Sequence, residues 1–136
     1  MAIDWSSALR AANVRPTRHR QALLRILHEG GARHVTAEAL HREALGAGMR
    51  LSLATVYYTL HEFTASGLLR RIEVGERSWF CTNASEHFHF IDTASGRIED
   101  IPAPGPQVVG IPQAPAGMEI VGVEVLVKVR PIPPAA

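Results

Sequence analysis

The chain has 136 residues, a hydrophobic fraction of 46% and one cysteine, Cys81. That fits one compact domain or two very small ones, excludes a disulfide framework, and makes a reducing cytoplasm the expected location. No apolar run approaches bilayer-spanning length, and the start, MAIDWSSALRAANV, has an early Asp and no apolar stretch of the kind a secretory signal carries.

The net charge of +1 hides an asymmetry. Residues 1–71 carry ten Arg against five acids, net +5, and residues 72–136 carry four bases against eight acids, net −4. A basic half joined to an acidic half predicts a polyanion-binding module followed by a module with another task. Thirteen of the fourteen bases are Arg, whose planar fork suits phosphates and base edges. A GC-rich genome explains the choice of Arg over Lys equally well, but explains the sign asymmetry less well.

In chain order, residues 3–12 predict a short helix ended near Asn13. Pro16 sits at the next helix start, and Thr17 to Glu29 follows with Leu23, Leu24, Ile26 and Leu27 as its apolar stripe, stopped by the glycines at 30 and 31. Thr36 can cap a third helix with Leu40, Ala44 and Leu45 inward, ending at Gly46 or Gly48. Ser52 can cap a fourth, in which Leu53, Val56, Leu60 and Phe63 share one face and after which Gly67 ends the helix.

Beyond Gly67 the periodicity changes. LLRRIEV, then GE, then RSWFCT predicts a two-stranded hairpin turning near Gly75. HFHFID and RIEDI read as two more strands around TASG. Eight of the nine prolines lie at or beyond Pro102, so residues 102–117 form a loop or a broken element. MEIVGVEVLVKVR, long and β-branched, is the strongest strand signal in the chain, and PIPPAA is a tail.

Three or four helices followed by a hairpin is the order of a winged helix-turn-helix. The fourth helix is then the recognition helix, which reads bases from its first turns. Its outward face holds Ala54, Thr55, Tyr58 and Glu62, with Tyr57 and His61 on the flank. Thr and Tyr can meet a thymine methyl or a phosphate. The hairpin is the wing, bringing Arg70, Arg71 and Arg77 near the DNA backbone. Tyr57 has a second reading, as a half-buried core tyrosine.

The acidic half contains His87-Phe88-His89. Residues i and i+2 of a strand share a face, so both imidazoles project together while Phe88 and Phe90 pack the other way, into the core. Two imidazoles at that spacing can share zinc, iron or manganese. Alone, His-x-His is a weak signal.

RPTRHRQALLRIL (15–27), HVTAEAL (34–40), LSLATVYYTLHEFTASGLL (51–69) and the following His-x-His, in that order, resemble the ferric uptake regulator (Fur) superfamily over roughly residues 10–101. TLHEFTASGLLR, WFCTNASEHFHF, IEDIP and APAGMEIVGVEVLVKVR resemble its iron response regulator (Irr) branch. The resemblance implies an α+β fold, with a winged helix-turn-helix DNA-binding domain over residues 1–83 and a small α/β domain for metal or haem sensing and dimerisation over residues 84–136. It implies a homodimeric repressor, not an enzyme, that binds double-stranded AT-rich operator DNA and no membrane. Iron and haem homeostasis genes are its expected targets. Tyr57 becomes the base-reading tyrosine. Arg15, Arg18 and Arg20 lie along the DNA backbone or minor groove. Ser52, Thr55, Tyr58 and Arg71 complete the DNA-binding set, Tyr58 standing where the family usually has Arg or Asn.

The resemblance also implies one divalent cation per chain (zinc, iron or manganese), with His34, Cys81, His87 and His89 as its ligands. Cys81 replaces the family's acid, a softer donor that zinc accepts. Its other reading is a small buried hydrophobe, and Glu86 is a substitute donor. With one Cys the zinc site built from two Cys-x-x-Cys pairs is ruled out, as is a further site using an acid between the two histidines. Haem is the rival ligand, since haem iron takes axial His or Cys, although Phe88 interrupts the branch's histidine run and no Cys-Pro pair is present. Two other functions remain: regulation by another divalent metal, and a small His-x-His metalloprotein without a DNA role. A DNA-binding protein that has lost sensing, with His87 and His89 merely packed, is a third.

Overall fold

Each of the four helices near the N-terminus starts at a side-chain oxygen. In the computed structural model, which describes residues 3–29, 31–83 and 88–135, α1 (Trp5–Ala11) begins at Asp4, whose carboxylate accepts from the Ser7 amide at 3.2 Å and the Ser7 hydroxyl at 2.7 Å. That cap trims the helix expected over residues 3–12. Thr17 caps α2 (Arg18–His28), Thr36 caps α3 (Ala37–Gly46) and Ser52 caps α4 (Leu53–Ala65), each hydroxyl accepting an amide three residues on. Such caps contribute about 1 kcal/mol apiece. Pro16 therefore precedes the α2 cap. Gly67 follows α4 with φ of 85°, the left-handed conformation that ends helices and favours glycine.

The inward rows meet in one cluster. Leu23, Leu24, Ile26 and Leu27 of α2 pack with Ala37, Leu40 and Ala44 of α3 and Val56, Leu60 and Phe63 of α4, joined by Leu9, Val14, Val35, Leu69 and Phe80. Leu45, expected inward, is 49% exposed. The buried row of α3 runs Ala37, Leu40, Ala44 at helical spacing, and Leu45 lies one residue, about 100°, round from it.

Three strands complete this unit: β1 (His34–Val35), β2 (Arg70–Val74) and β3 (Arg77–Cys81), ordered β1-β3-β2 and antiparallel. Val74 pairs with Arg77 across a two-residue turn opened by Gly75 at φ 61°, a conformation that hairpin turns assign to glycine. Four helices and this hairpin are the expected winged helix-turn-helix.

The chain divides into two compact units, Met1–Ala84 and Ser85–Ala136. In the second, β4 (His89–Asp92) lies between antiparallel β5 (Ile98–Asp100) and parallel β6 (Leu126–Val129). The TASG turn is held by Asp92, whose carboxylate accepts from the Ala94 amide and the Ser95 hydroxyl, both at 2.9 Å. Those two bonds keep its acidity stronger than usual.

Two expectations change here. Along β4 the buried residues are His89 and Ile91, while Phe88 and Phe90 are half-buried, so the imidazole, not the ring, takes the inward face. The strand expected over residues 118–130 shrinks to Leu126–Val129. β4 offers only the four residues His89 to Asp92 for pairing, and Met118, Ile120 and Val121 upstream remain 70%, 49% and 95% exposed. Among the described residues, the elements of this unit are strands. Residues 102–117 form turns and irregular backbone, as their prolines require.

Candidate functional site

The expected recognition helix, α4, is shaped at its first turn. Ser52 Oγ accepts the Thr55 amide at 3.1 Å and lies 3.0 Å from Thr55 Oγ1, so these two expected DNA-contacting hydroxyls also serve the cap. Thr59, one turn on, is buried and donates to the Thr55 carbonyl. Tyr58 stands 66% exposed on the outer face. Tyr57 is half-buried against the core cluster, and its hydroxyl donates to Glu38 Oε1 at 2.8 Å. The core packing of its second reading is thus present, and the hydroxyl end is turned to Glu38.

That bond sets local acidities. It is the largest influence holding the Glu38 carboxyl below its ordinary range, with Arg77 and Arg42 adding to it, and the same bond raises the Tyr57 phenol. Glu38, Tyr57, Arg42, Arg77 and Trp79 border an open groove of about 790 Å³. Arg77 stacks its guanidinium 5.8 Å from the Trp79 ring centre, a cation–π contact that stiffens the wing.

The expected DNA-facing arginines differ in their state. Arg15 and Arg18 are exposed. Arg20 is tied to Glu62 at 2.6 Å and to the Arg15 carbonyl at 2.9 Å. Arg71 reaches across the hairpin to Ser78 Oγ at 3.0 Å and to Glu73 at 2.8 Å.

Three of the four expected metal ligands are described: His34 and Cys81 pair in the first unit, and His89 pairs with Asp100, a donor not expected, in the second. In the first, β1 pairs with β3 so that His34 stands opposite Cys81, and their ligand atoms lie within 4.8 Å of each other. Cys81 is buried. Arg33 next to it binds Thr82 through both main chains and the Thr82 hydroxyl, which fixes the β1 end against β3. In the second unit, His89 stands opposite Asp100, with Nε2 3.2 Å from Asp100 Oδ1. His89 is 1% exposed, Asp100 35%. His87 and Glu86 lie outside the described residues.

Asp100 escapes a reading based on local spacing. Its signal is the pairing of HFHFID with RIEDI across TASG: once that turn is taken as the hairpin loop, the acid comes opposite the second histidine. The donor set, thiol, imidazole and carboxylate, suits borderline and soft divalent cations. A thiolate with imidazoles fits zinc, and the buried strand positions give such donors fixed directions.

Residues 11–125 match the model of the Ferric uptake regulator family. The chain is similar to the ferric uptake regulation protein of Legionella pneumophila, 33% identical over 100 residues, covering 72% of this chain and 74% of that one. It is 36% identical over 98 residues to the peroxide operon regulator of Bacillus subtilis, covering 71% and 67%. Among solved structures, the ferric uptake regulator from Pseudomonas aeruginosa with manganese superposes with a TM-score of 0.72 at 25% identity, covering 95% of this chain and 98% of that one.

Proposed function

The chain belongs to the ferric uptake regulator family, and from that premise we propose that it is a metal-switched repressor of iron and haem homeostasis genes, loaded with one divalent cation per chain. Members of the family are metal-responsive transcription regulators that bind DNA as dimers, and they are not enzymes. The finer reading assigns the cation to His34 and Cys81 of the first unit and His89 of the second, with His87 or Asp100 as a further donor. A cytoplasmic location follows from work on DNA.

The observation that carries this reading is the pair of donor pairs, His34 opposite Cys81 and His89 against Asp100. Each sits at a strand end, next to an element that a bound cation can steer. His34 is two residues from the cap of α3, so a cation held there acts on the helix-turn-helix. A ligand that binds one arrangement of the two units better than another shifts the population towards it. The two copies in a dimer then present their recognition helices at one spacing, which matches half-sites of an AT-rich operator. Tyr57, Tyr58, Ser52 and Thr55 face the bases or their flanks, Arg15, Arg18 and Arg71 supply the basic surface, and Arg20 orders it through Glu62 and the Arg15 carbonyl.

Haem is the second reading, favoured by the stretches IEDIP and APAGMEIVGVEVLVKVR that resemble the Irr branch. His or Cys81 supplies its axial ligand in that case.

Metal analysis of the purified protein, followed by haem titration read by absorbance, distinguishes the two. DNA affinity is then measured with and without the bound ligand in the wild type and in His34→Ala/His89→Ala. Loss of the response in the double variant supports the assignment. A response to metal and haem that survives both substitutions overturns it.

A further inference from the structure

We propose that Glu38 is a specificity-determining positioning residue of DNA readout, acting through Tyr57 by accepting the hydrogen bond that its phenol donates. This rests on the reading of α4 as the recognition helix.

Tyr57 is the fifth residue of α4. The inner part of its ring packs on the core cluster, and its hydroxyl donates to Glu38 Oε1 at 2.8 Å. Both ends of the side chain are therefore fixed before DNA arrives, which removes an ordering cost from binding. Glu38 lies in the first turn of α3, where the helix dipole favours a negative side chain. Arg42 and Arg77 add to that preference. An ionised carboxylate is an acceptor only, so the bond has one direction: the phenol gives and Glu38 receives.

The chemical consequence concerns what Tyr57 can still offer a base. Its one donor proton is committed. What remains is an apolar ring edge and an acceptor oxygen. In the major groove a thymine presents a methyl group, which an apolar edge accepts. Guanine presents N7 and O6, two acceptors that need a donor, whereas adenine also offers its N6 amine to an acceptor oxygen. The tether therefore favours thymine and turns guanine away. Freeing the hydroxyl lets it donate to N7 and broadens the preference. Tyr58, 66% exposed on the same helix, has no such restriction from Glu38, so the two adjacent tyrosines read by different rules.

The test uses the full chain and a random-sequence duplex library, from which wild-type protein enriches its preferred duplex. That duplex is then compared with a copy carrying deoxyuridine for thymine, and with copies carrying guanine at each thymine that the methyl loss exposes as contacted. Wild type should prefer thymine about fourfold per contacted methyl. Glu38→Ala, and Glu38→Leu as a variant closer in size, should relax the penalty against guanine about tenfold. Glu38→Gln should keep the wild-type profile, because its amide oxygen accepts the same proton. Adding Tyr57→Phe to Glu38→Ala should restore discrimination, since the freed donor is gone. A Glu38→Ala profile identical to wild type overturns the proposal, as does broadening that persists in the Glu38→Ala/Tyr57→Phe double variant. If wild type enriches no sequence at all, the DNA-reading assignment itself fails, a result distinct from either.

Discussion

Arg20 ties α2 to α4: its Nη2 lies 2.6 and 2.7 Å from the two oxygens of Glu62, while Nη1 donates to the Arg15 carbonyl at 2.9 Å. The pair is 18% and 27% exposed, so it is screened less than a surface ion pair and desolvated less than a core one. Glu62 is on the outward side of α4, and the arginine that family resemblance sets along the DNA backbone is here engaged within the protein. Arg20→Ala should lower stability by about 1–2 kcal/mol, between the values for exposed and buried pairs. Glu62→Ala should do the same. The reversed pair Arg20→Glu/Glu62→Arg should recover part of the loss, read from urea denaturation midpoints at unchanged m value.

The same contact separates two kinds of arginine in DNA binding. Each phosphate contact contributes about 0.9 to the slope of log affinity against log salt. Arg15→Gln and Arg18→Gln should each flatten that slope by about 0.9. Arg20→Gln should weaken binding with the slope nearly unchanged. A slope that falls equally for Arg20 would show that it leaves Glu62 for a phosphate on binding.

Burial on α3 and α4 makes a contrast. Phe63 and Leu60 are fully buried, and truncation to Ala should cost about 3–5 and 2–5 kcal/mol respectively. Leu45, 49% exposed, should cost below about 0.5 kcal/mol when truncated to Ala beyond a small propensity change. Thermal melts of the three variants decide it.

His28 provides a pH handle on the N-terminal helix. It stacks on Trp5 with ring centres 5.5 Å apart, and burial lowers its proton affinity below the ordinary value near 6.5. The unfolded chain then binds the proton more readily than the folded one. Stability should fall as pH drops below about 6.5 and level off below the folded value. The Glu38 and Asp92 carboxyls, lowered in the fold, lose their contribution only at more acid pH, near the carboxylate range. Between pH 7 and 5, the melting temperature of wild type should fall more than that of His28→Gln, with Trp5 fluorescence following the change.

Cobalt(II) reports directly on Cys81. A thiolate–cobalt bond gives an intense charge-transfer absorption in the near ultraviolet, and tetrahedral coordination gives strong visible bands. Cobalt-loaded wild type should show both. Cys81→Ser should lose the first, and His34→Ala should weaken metal affinity about 10-fold or more. A wild-type spectrum without the ultraviolet band assigns Cys81 to packing alone.

The helical half was readable because its signals are local. Thr36 and Ser52 sit one residue before their helices, and the apolar rows recur at helical spacing. Leu45 shows the limit, since a neighbouring leucine satisfies the same pattern until packing decides which face turns inward. In the second half the signals are pairwise. MEIVGVEVLVKVR has strand propensity along its whole length, yet only Leu126–Val129 finds a neighbour in β4. Asp100 and His89 are eleven residues apart in sequence and opposite each other only through the β4–β5 register. The tie between Arg20 and Glu62 spans 42 positions, a distance over which no local pattern speaks.

β1 is only two residues long, and its brevity has a mechanical meaning. His34 is followed by Val35, 2% exposed in the core, and then by Thr36, the cap of α3. No slack exists between the candidate ligand and the helix. α3 in turn grips α4 through Glu38 and Tyr57. A displacement of His34 by an ångström has no loop in which to dissipate, so it acts as a lever with a very short arm. In the proposed switch, the place where one imidazole rests thereby sets the pitch of the helix that α3 grips.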